Sequence, residues 1–217
     1  HYSAAPTLSA VHRAVKECVN GLVVVGRPCQ VLALRKMQGL KGTTGYLPDG
    51  DKVEFIIGLF CFWSLETGIY DLLNRKAGSH ILKVEISQNF LTIIQESGST
   101  DIPLDEVRPF IRPACQLCFD PTSEFADVSV GSTEYDSRWN TLIVRTARGK
   151  EIVDAARAGG IIETRAYPEE RLPLLYRAVR NKKLRVLHAL ELGQGAGYLQ
   201  LSDQYRAGLE QERGINL

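Results

Sequence analysis

The chain has 217 residues, of which 44% are hydrophobic, enough to bury one large core or two small ones, and its most apolar stretch, Phe55 to Trp63, falls well short of the roughly 20 residues a bilayer-crossing helix needs. Lys and Arg number 26 against 25 Asp and Glu, a formal net charge of +1, which excludes the broad field that gathers nucleic acid or anionic lipid. Five cysteines, an odd number, and no visible targeting leader predict a cytoplasmic, reducing environment with metal-binding or reactive thiols, and no membrane span.

In chain order, Thr7 to Asn20 carries apolar residues at helical spacing with Gly21 as a stop, and Leu22 to Gly26 ("LVVVG") reads as a short buried strand. Pro28 suits the first turn of a following helix, with Val31, Leu32, Leu34 and Met37 on one face, so Cys29 is expected near a helix N-terminus. Lys41 to Asp51 is a loop rich in glycine, proline and aspartate. "KVEFIIGLFC" predicts a second buried strand ending at Cys61, and Leu65 to Ala77 a helix. From Ile81 the runs become shorter and alternate, as in "ILKVEI", "NFLTIIQE" and later "WNTLIVRT". Glu151 to Ala158 predicts a helix, "IIETRAY" a final strand, and Glu169 to Leu192 a helix with a basic second half.

The expected fold is therefore α/β (α+β), a mixed sheet core with a strand-rich subregion and C-terminal helices. In such a core, functional groups gather at the carboxyl ends of parallel strands, where both Cys29 and Cys61 fall. A redox reading of Cys115 and Cys118 would place the pair at the start of a helix, but Asp120-Pro121-Thr122-Ser123 favours a turn. A zinc ribbon would show a second Cys-x-x-Cys, and the chain has none. Two lone cysteines at strand ends plus the pair make four thiolates, a number that suits either a zinc tetrahedron or a four-iron cluster. Cys29 and Cys61 can equally be small buried hydrophobes, the reading adopted for mid-helix Cys18.

The blocks "VVVGRPCQVLALRKMQ", "FIIGLFCFW", "PLDEVRPFIRPACQLCFDPTSEFADVSVGS" and "WNTLIVRTARGKEIVDAA", in this order, resemble the beta subunits of the coenzyme F-420 (F420) hydrogenase/dehydrogenase family. The resemblance implies a flavoprotein with FAD and a 4Fe-4S cluster that exchanges hydride with coenzyme F420 or with NAD(P)H. It also implies hydrogenase, formate dehydrogenase or other redox partner subunits. Cys29, Cys61, Cys115 and Cys118 match the cluster positions, and Cys18 matches none. Family members carry a glycine-rich, flavin-associated segment before the point where this chain starts. The domain expectation is accordingly the tail of that segment over 1–21, a cluster and flavin domain over 22–165 and a helical region over 166–217.

Asp120, Thr122, Asp127, Ser129 and Gly131 form a polar, glycine-containing run beside the cluster cysteines and are the candidates for flavin contacts, with a structural turn and an edge strand as the alternative. Asn140 and Thr141, after Trp139, are expected to line the same pocket. Arg27 and Arg145 are candidates for flavin phosphates or an acidic carrier. Arg171 to Arg185 is strongly basic, with Leu172, Leu175, Tyr176 and Val179 on an apolar face; it reads as a solvated amphipathic helix or a dock for an acidic partner subunit. No histidine has metal-ligand spacing, and neither a Ser-His-acid pattern nor a Walker motif occurs. The readings set against the redox subunit are a zinc or docking module without flavin and a reductase of a tetrapyrrole or other organic substrate.

Overall fold

The computed structural model describes residues 5–17, 19–39, 52–78, 80–87, 89–133, 135–195 and 201–211. Cys18 and the expected loop Lys41–Asp51 lie outside them. The elements are α1 (Thr7–Lys16), β1 (Leu22–Gly26), α2 (Pro28–Gly39), β2 (Val53–Leu59), α3 (Ile69–Ala77), β3 (Lys83–Ile86), β4 (Phe90–Gln95) and β5 (Gly98–Pro103). They continue with α4 (Leu104–Val107), α5 (Pro113–Gln116), β6 (Val128–Ser132), β7 (Asn140–Val144), α6 (Ala147–Ala158), α7 (Leu172–Glu191) and α8 (Asp203–Gln211). Among the described residues no helix is long and apolar enough to cross a membrane.

The chain forms two compact units, one of Trp63–Gln116 and one of Pro6–Phe62 with Leu117–Leu217. The second holds a sheet in the order β1-β2-β6-β7, in which β1, β2 and β6 run parallel and β7 returns antiparallel along β6. Val11 and Val15 of α1 and Val31 and Leu34 of α2 pack on Val24, Val53 and Ile56 of the strands. Val31 and Ile56 are wholly buried, and each such side chain stabilises the fold by roughly 1.5–3 kcal/mol. This α/β packing points the ends of β1 and β2 the same way, so that Cys29, second residue of α2, and Cys61, two residues past β2, leave the sheet from one edge.

The first unit is the strand-rich subregion. An antiparallel sheet β3-β4-β5 presents Leu91, Ile93 and Ile102 to Leu65, Ile69, Leu72 and Leu73, which form one core with Leu104 and Val107. α3 starts at Ile69 and not at Leu65, because Leu65 is held in an isolated antiparallel bridge with Ile111. β5 is a strand that the polar "GSTDIP" does not announce; its pairing with β4 across Gln95↔Gly98 creates it.

Three expectations are corrected. "IIETRAY" is not a strand: Ile161 is 79% exposed, Gly160 turns the chain with a φ of +67°, and side chains fasten the segment instead. Arg165 bonds Asp136 and stacks 4.2 Å from the Trp139 ring, and Tyr167 meets Tyr135 edge-on. α6 begins at Ala147, four residues before the expected Glu151, because the Thr146 hydroxyl caps it by accepting from the Gly149 N–H at 2.9 Å. β6 is not an edge strand; it lies between β2 and β7.

Candidate functional site

Cys61 and Cys118 are drawn together by one residue. The ammonium of Lys182, on α7, donates to the Cys61 carbonyl at 2.8 Å, to the Asp120 carbonyl at 3.3 Å and to the Cys118 sulfur at 3.6 Å. The Cys61 N–H donates to the Pro121 carbonyl at 2.8 Å, so the segment after β2 and the loop 118–121 are stitched from both sides. Cys118 Sγ also lies 3.6 Å from the Asp120 carbonyl. Cys29 is exposed and Cys61 half-buried, which sets aside the buried-hydrophobe reading for both.

Burial pushes the Cys118 thiol up from its ordinary pKa, against the pull of the Lys182 ammonium, and charge on the nearby Cys29 adds to the rise. The Asp120 carboxyl is pushed up by burial as well, opposed first by the Glu124 N–H that it accepts. Cys115 belongs to the other compact unit, where it follows Pro113 on the four-residue α5 and its thiol donates to the Ser64 carbonyl at 3.9 Å.

Among the described residues no three His, Cys, Asp or Glu side chains are gathered to hold a single ion. The donor chemistry still fits a thiolate-bound group: the soft Cys118 sulfur stands beside a buried cation that also holds the backbone of Cys61.

The flavin candidates are mostly bound to one another. Asp127 accepts from the Ile56 N–H at 2.8 Å, from Arg35 at 3.0 Å and from the Thr146 hydroxyl at 3.0 Å. Arg145 reaches the Thr122 hydroxyl at 2.8 Å and the Ser129 hydroxyl at 3.2 Å, while Ser129 donates to the Ser123 carbonyl at 3.0 Å. Asp120 accepts from the N–H groups of Thr122 and Glu124 at 3.0 and 2.8 Å. Gly131 has no room for a side chain, since a Cβ there would stand 2.0 Å from the Phe60 ring. Thr141 is buried opposite Gly131 on β7, and Asn140 is the one exposed member of the set. The Arg27 N–H donates to the Gln30 side chain at the start of α2.

Sequence reasoning misses Lys182 because it stands in a run of basic residues that reads as a solvated face. Only 3% of it is exposed, and with Val186, Leu187 and Ala189 it forms the buried side of α7, whereas Tyr176, assigned to the apolar face, is 63% exposed. The continuation of its spacing into Val186 and Ala189 is the sequence trace that marks it.

Residues 19–170 match the family model for the C terminus of the coenzyme F420 hydrogenase/dehydrogenase beta subunit. The chain is 32% identical over 190 residues to coenzyme F420 hydrogenase subunit beta of Methanosarcina barkeri, a match that covers 83% of this chain and 64% of that protein. It is also 32% identical to the coenzyme F420-dependent sulfite reductase of Methanocaldococcus jannaschii, over 69% of this chain and 26% of that one. In three dimensions it resembles a chain of the F420-reducing [NiFe] hydrogenase complex of Methanosarcina barkeri with a TM-score of 0.79 at 28% identity, over 88% of this chain and 67% of the other. The matches thus span about three fifths to two thirds of the F420 hydrogenase beta subunits. The chain belongs to the coenzyme F420 hydrogenase/dehydrogenase beta subunit family, whose C-terminal region it carries over residues 19–170.

Proposed function

We propose that the chain forms part of a cytoplasmic electron-transfer subunit in an F420-linked redox complex, an oxidoreductase whose partners are hydrogenase, formate dehydrogenase or other redox subunits. The observation that carries this reading is the gathering of the Cys61 backbone and the Cys118 sulfur around the Lys182 ammonium, with Cys29 leaving the same sheet edge as Cys61, inside a domain of this family. Cys29, Cys61 and Cys118 would hold a 4Fe-4S cluster, and Cys115 enters as the fourth ligand on its Cys-x-x-Cys spacing alone. When bound, FAD supplies hydride exchange with coenzyme F420 or NAD(P)H and the cluster carries single electrons.

The chain's own contribution is support. The bonds of Asp127, Thr122, Ser129 and Arg145 hold the stretch between the thiol loop and β6 in one conformation. Because those side chains are already engaged, a flavin beside Asp120, Thr122, Asp127, Ser129 and Gly131 would be met through backbone N–H and C=O groups, with Asn140 the one exposed side chain and Thr141 behind it.

Anaerobic reconstitution with FAD, iron and sulfide tests the proposal. The expected result is iron and acid-labile sulfide in equal amounts, bound flavin, and visible absorption that bleaches with reduced F420 or NAD(P)H. Stoichiometric zinc without sulfide or flavin would overturn it in favour of a zinc or docking module.

A further inference from the structure

We propose that Lys182 is a positioning residue of the thiol site, the fixed countercharge around which the ligand-bearing segments are arranged. The inference rests on the iron–sulfur reading above and adds a residue to it. Its basis is a contrast between neighbours on α7. Lys183 points to a carboxylate, pairing with Glu124 at 2.6 Å and donating to the Tyr205 hydroxyl at 3.0 Å. Lys182 is more deeply buried, yet among the described residues no carboxylate pairs with it, and its acceptors are two neutral carbonyls and one sulfur.

Taking an ammonium out of water costs several kcal/mol, and carbonyl dipoles recover only part of that cost. The Asp120 carboxylate accepts from two backbone N–H groups and acts on the Lys182 ammonium through space without a direct bond to it. The one direct contact of Lys182 that can carry negative charge is the Cys118 sulfur. A set of thiolates around iron carries such charge, and Cys118 Sγ is the atom through which Lys182 would feel it. The same ammonium ties Cys61 to Asp120, so it both fixes the spacing of two ligand segments and offsets their charge.

A cation beside a redox centre favours the reduced, more negative form. The test compares Lys182→Gln, which keeps donors for the carbonyls, Lys182→Met, which keeps volume only, and Lys182→Arg, which keeps charge, in the full protein reconstituted anaerobically. Lys182→Gln should lower the reduced-to-oxidised ratio of the cluster about tenfold at a fixed applied potential, equal to about 59 mV for a one-electron couple, and Lys182→Arg should recover most of it. Iron loss to a chelator should quicken severalfold in Lys182→Gln and Lys182→Met. An unchanged ratio in Lys182→Gln with a full iron complement would overturn the proposal.

If the unsubstituted protein takes up no cluster, the reading of function fails and Lys182 is judged on the two segments that it ties together. Amide exchange over residues 60–62 and 118–121 should then quicken severalfold in Lys182→Met and stay unchanged over β3–β5. Equal exchange over 118–121 in both proteins would overturn the proposal in that case too.

Discussion

Two polar regions of the same compact unit adjoin in the stretch 118–129 and differ in kind. In the Asp127 region every buried donor has a matched acceptor: Asp127 takes Ile56, Arg35 and Thr146, and Arg145 takes Thr122 and Ser129. In the Lys182 region the hydrogen bonds are made but no carboxylate closes on the ammonium, which faces carbonyls and a sulfur while the Asp120 carboxylate acts on it only through space. A network closed on itself is scaffolding. A buried cation whose direct acceptors are carbonyls and a sulfur is the less closed of the two, and it is where the proposed cluster would bear.

The sharpest way to break this comparison is to remove a sulfur. Cys118→Ser should abolish iron and sulfide uptake in reconstitution, while urea unfolding of the cluster-free chain shifts by less than about 1 kcal/mol, because the side chain is half-buried and the replacement nearly isosteric. Asp127→Ala should do the reverse. It strands the Ile56 N–H within β2 and frees Arg35, a loss of about 3 kcal/mol in urea unfolding. An unfolding loss below about 1 kcal/mol would show that the network is not the scaffold described.

What was legible in the sequence follows the same division. The strand-end cysteines could be read because parallel strands with short helical returns bring their carboxyl ends to one edge, and β1 and β2 do so. Asp120, Thr122, Asp127 and Ser129 could be read as polar and confined but not as closed, because a carboxylate that takes a ligand and one that takes the Ile56 N–H look alike until the fold supplies the donor. Lys182 was hidden for the opposite reason: in a run with Lys183 and Arg185, charge argues for solvent, and only the turn-by-turn continuation into Val186 and Ala189 argues for burial. "IIETRAY" failed because β propensity needs a partner strand, and Arg165 and Tyr167 are committed to side-chain contacts instead.

The neighbouring lysines sharpen the contrast with a smaller effect. Burial alone would lower the Lys183 pKa, but bonds to Glu124 and Tyr205 outweigh it and raise it above the ordinary 10.5. A raised value in the folded state means that the stabilisation is complete below the unfolded pKa and is lost as pH rises through the folded one. Alkaline unfolding should therefore begin at lower pH in Glu124→Gln, with a loss of about 1 kcal/mol at neutral pH. An alkaline limb that does not move in Glu124→Gln would remove the ion pair from the account.

The smallest effect belongs to the loop between β6 and β7. Bonds from Arg138, and then from Arg165, hold the Asp136 carboxyl well below the usual carboxylate range. A depressed value in the folded state gives stabilisation that is present above the unfolded pKa near 3.8 and lost as pH falls toward the folded one. Asp136→Asn should therefore flatten the acid limb of a melting-temperature profile below about pH 4 and leave neutral pH nearly untouched, because a near-surface pair is screened by salt. Since Arg165 also stacks on Trp139, Arg165→Lys should loosen the 161–167 segment, seen as faster amide exchange there, with little change at Lys182 or the cysteines. If exchange rose equally around Cys118, the loop and the thiol site would be one cooperative region, and the separation between closed scaffold and open site would fail at this boundary.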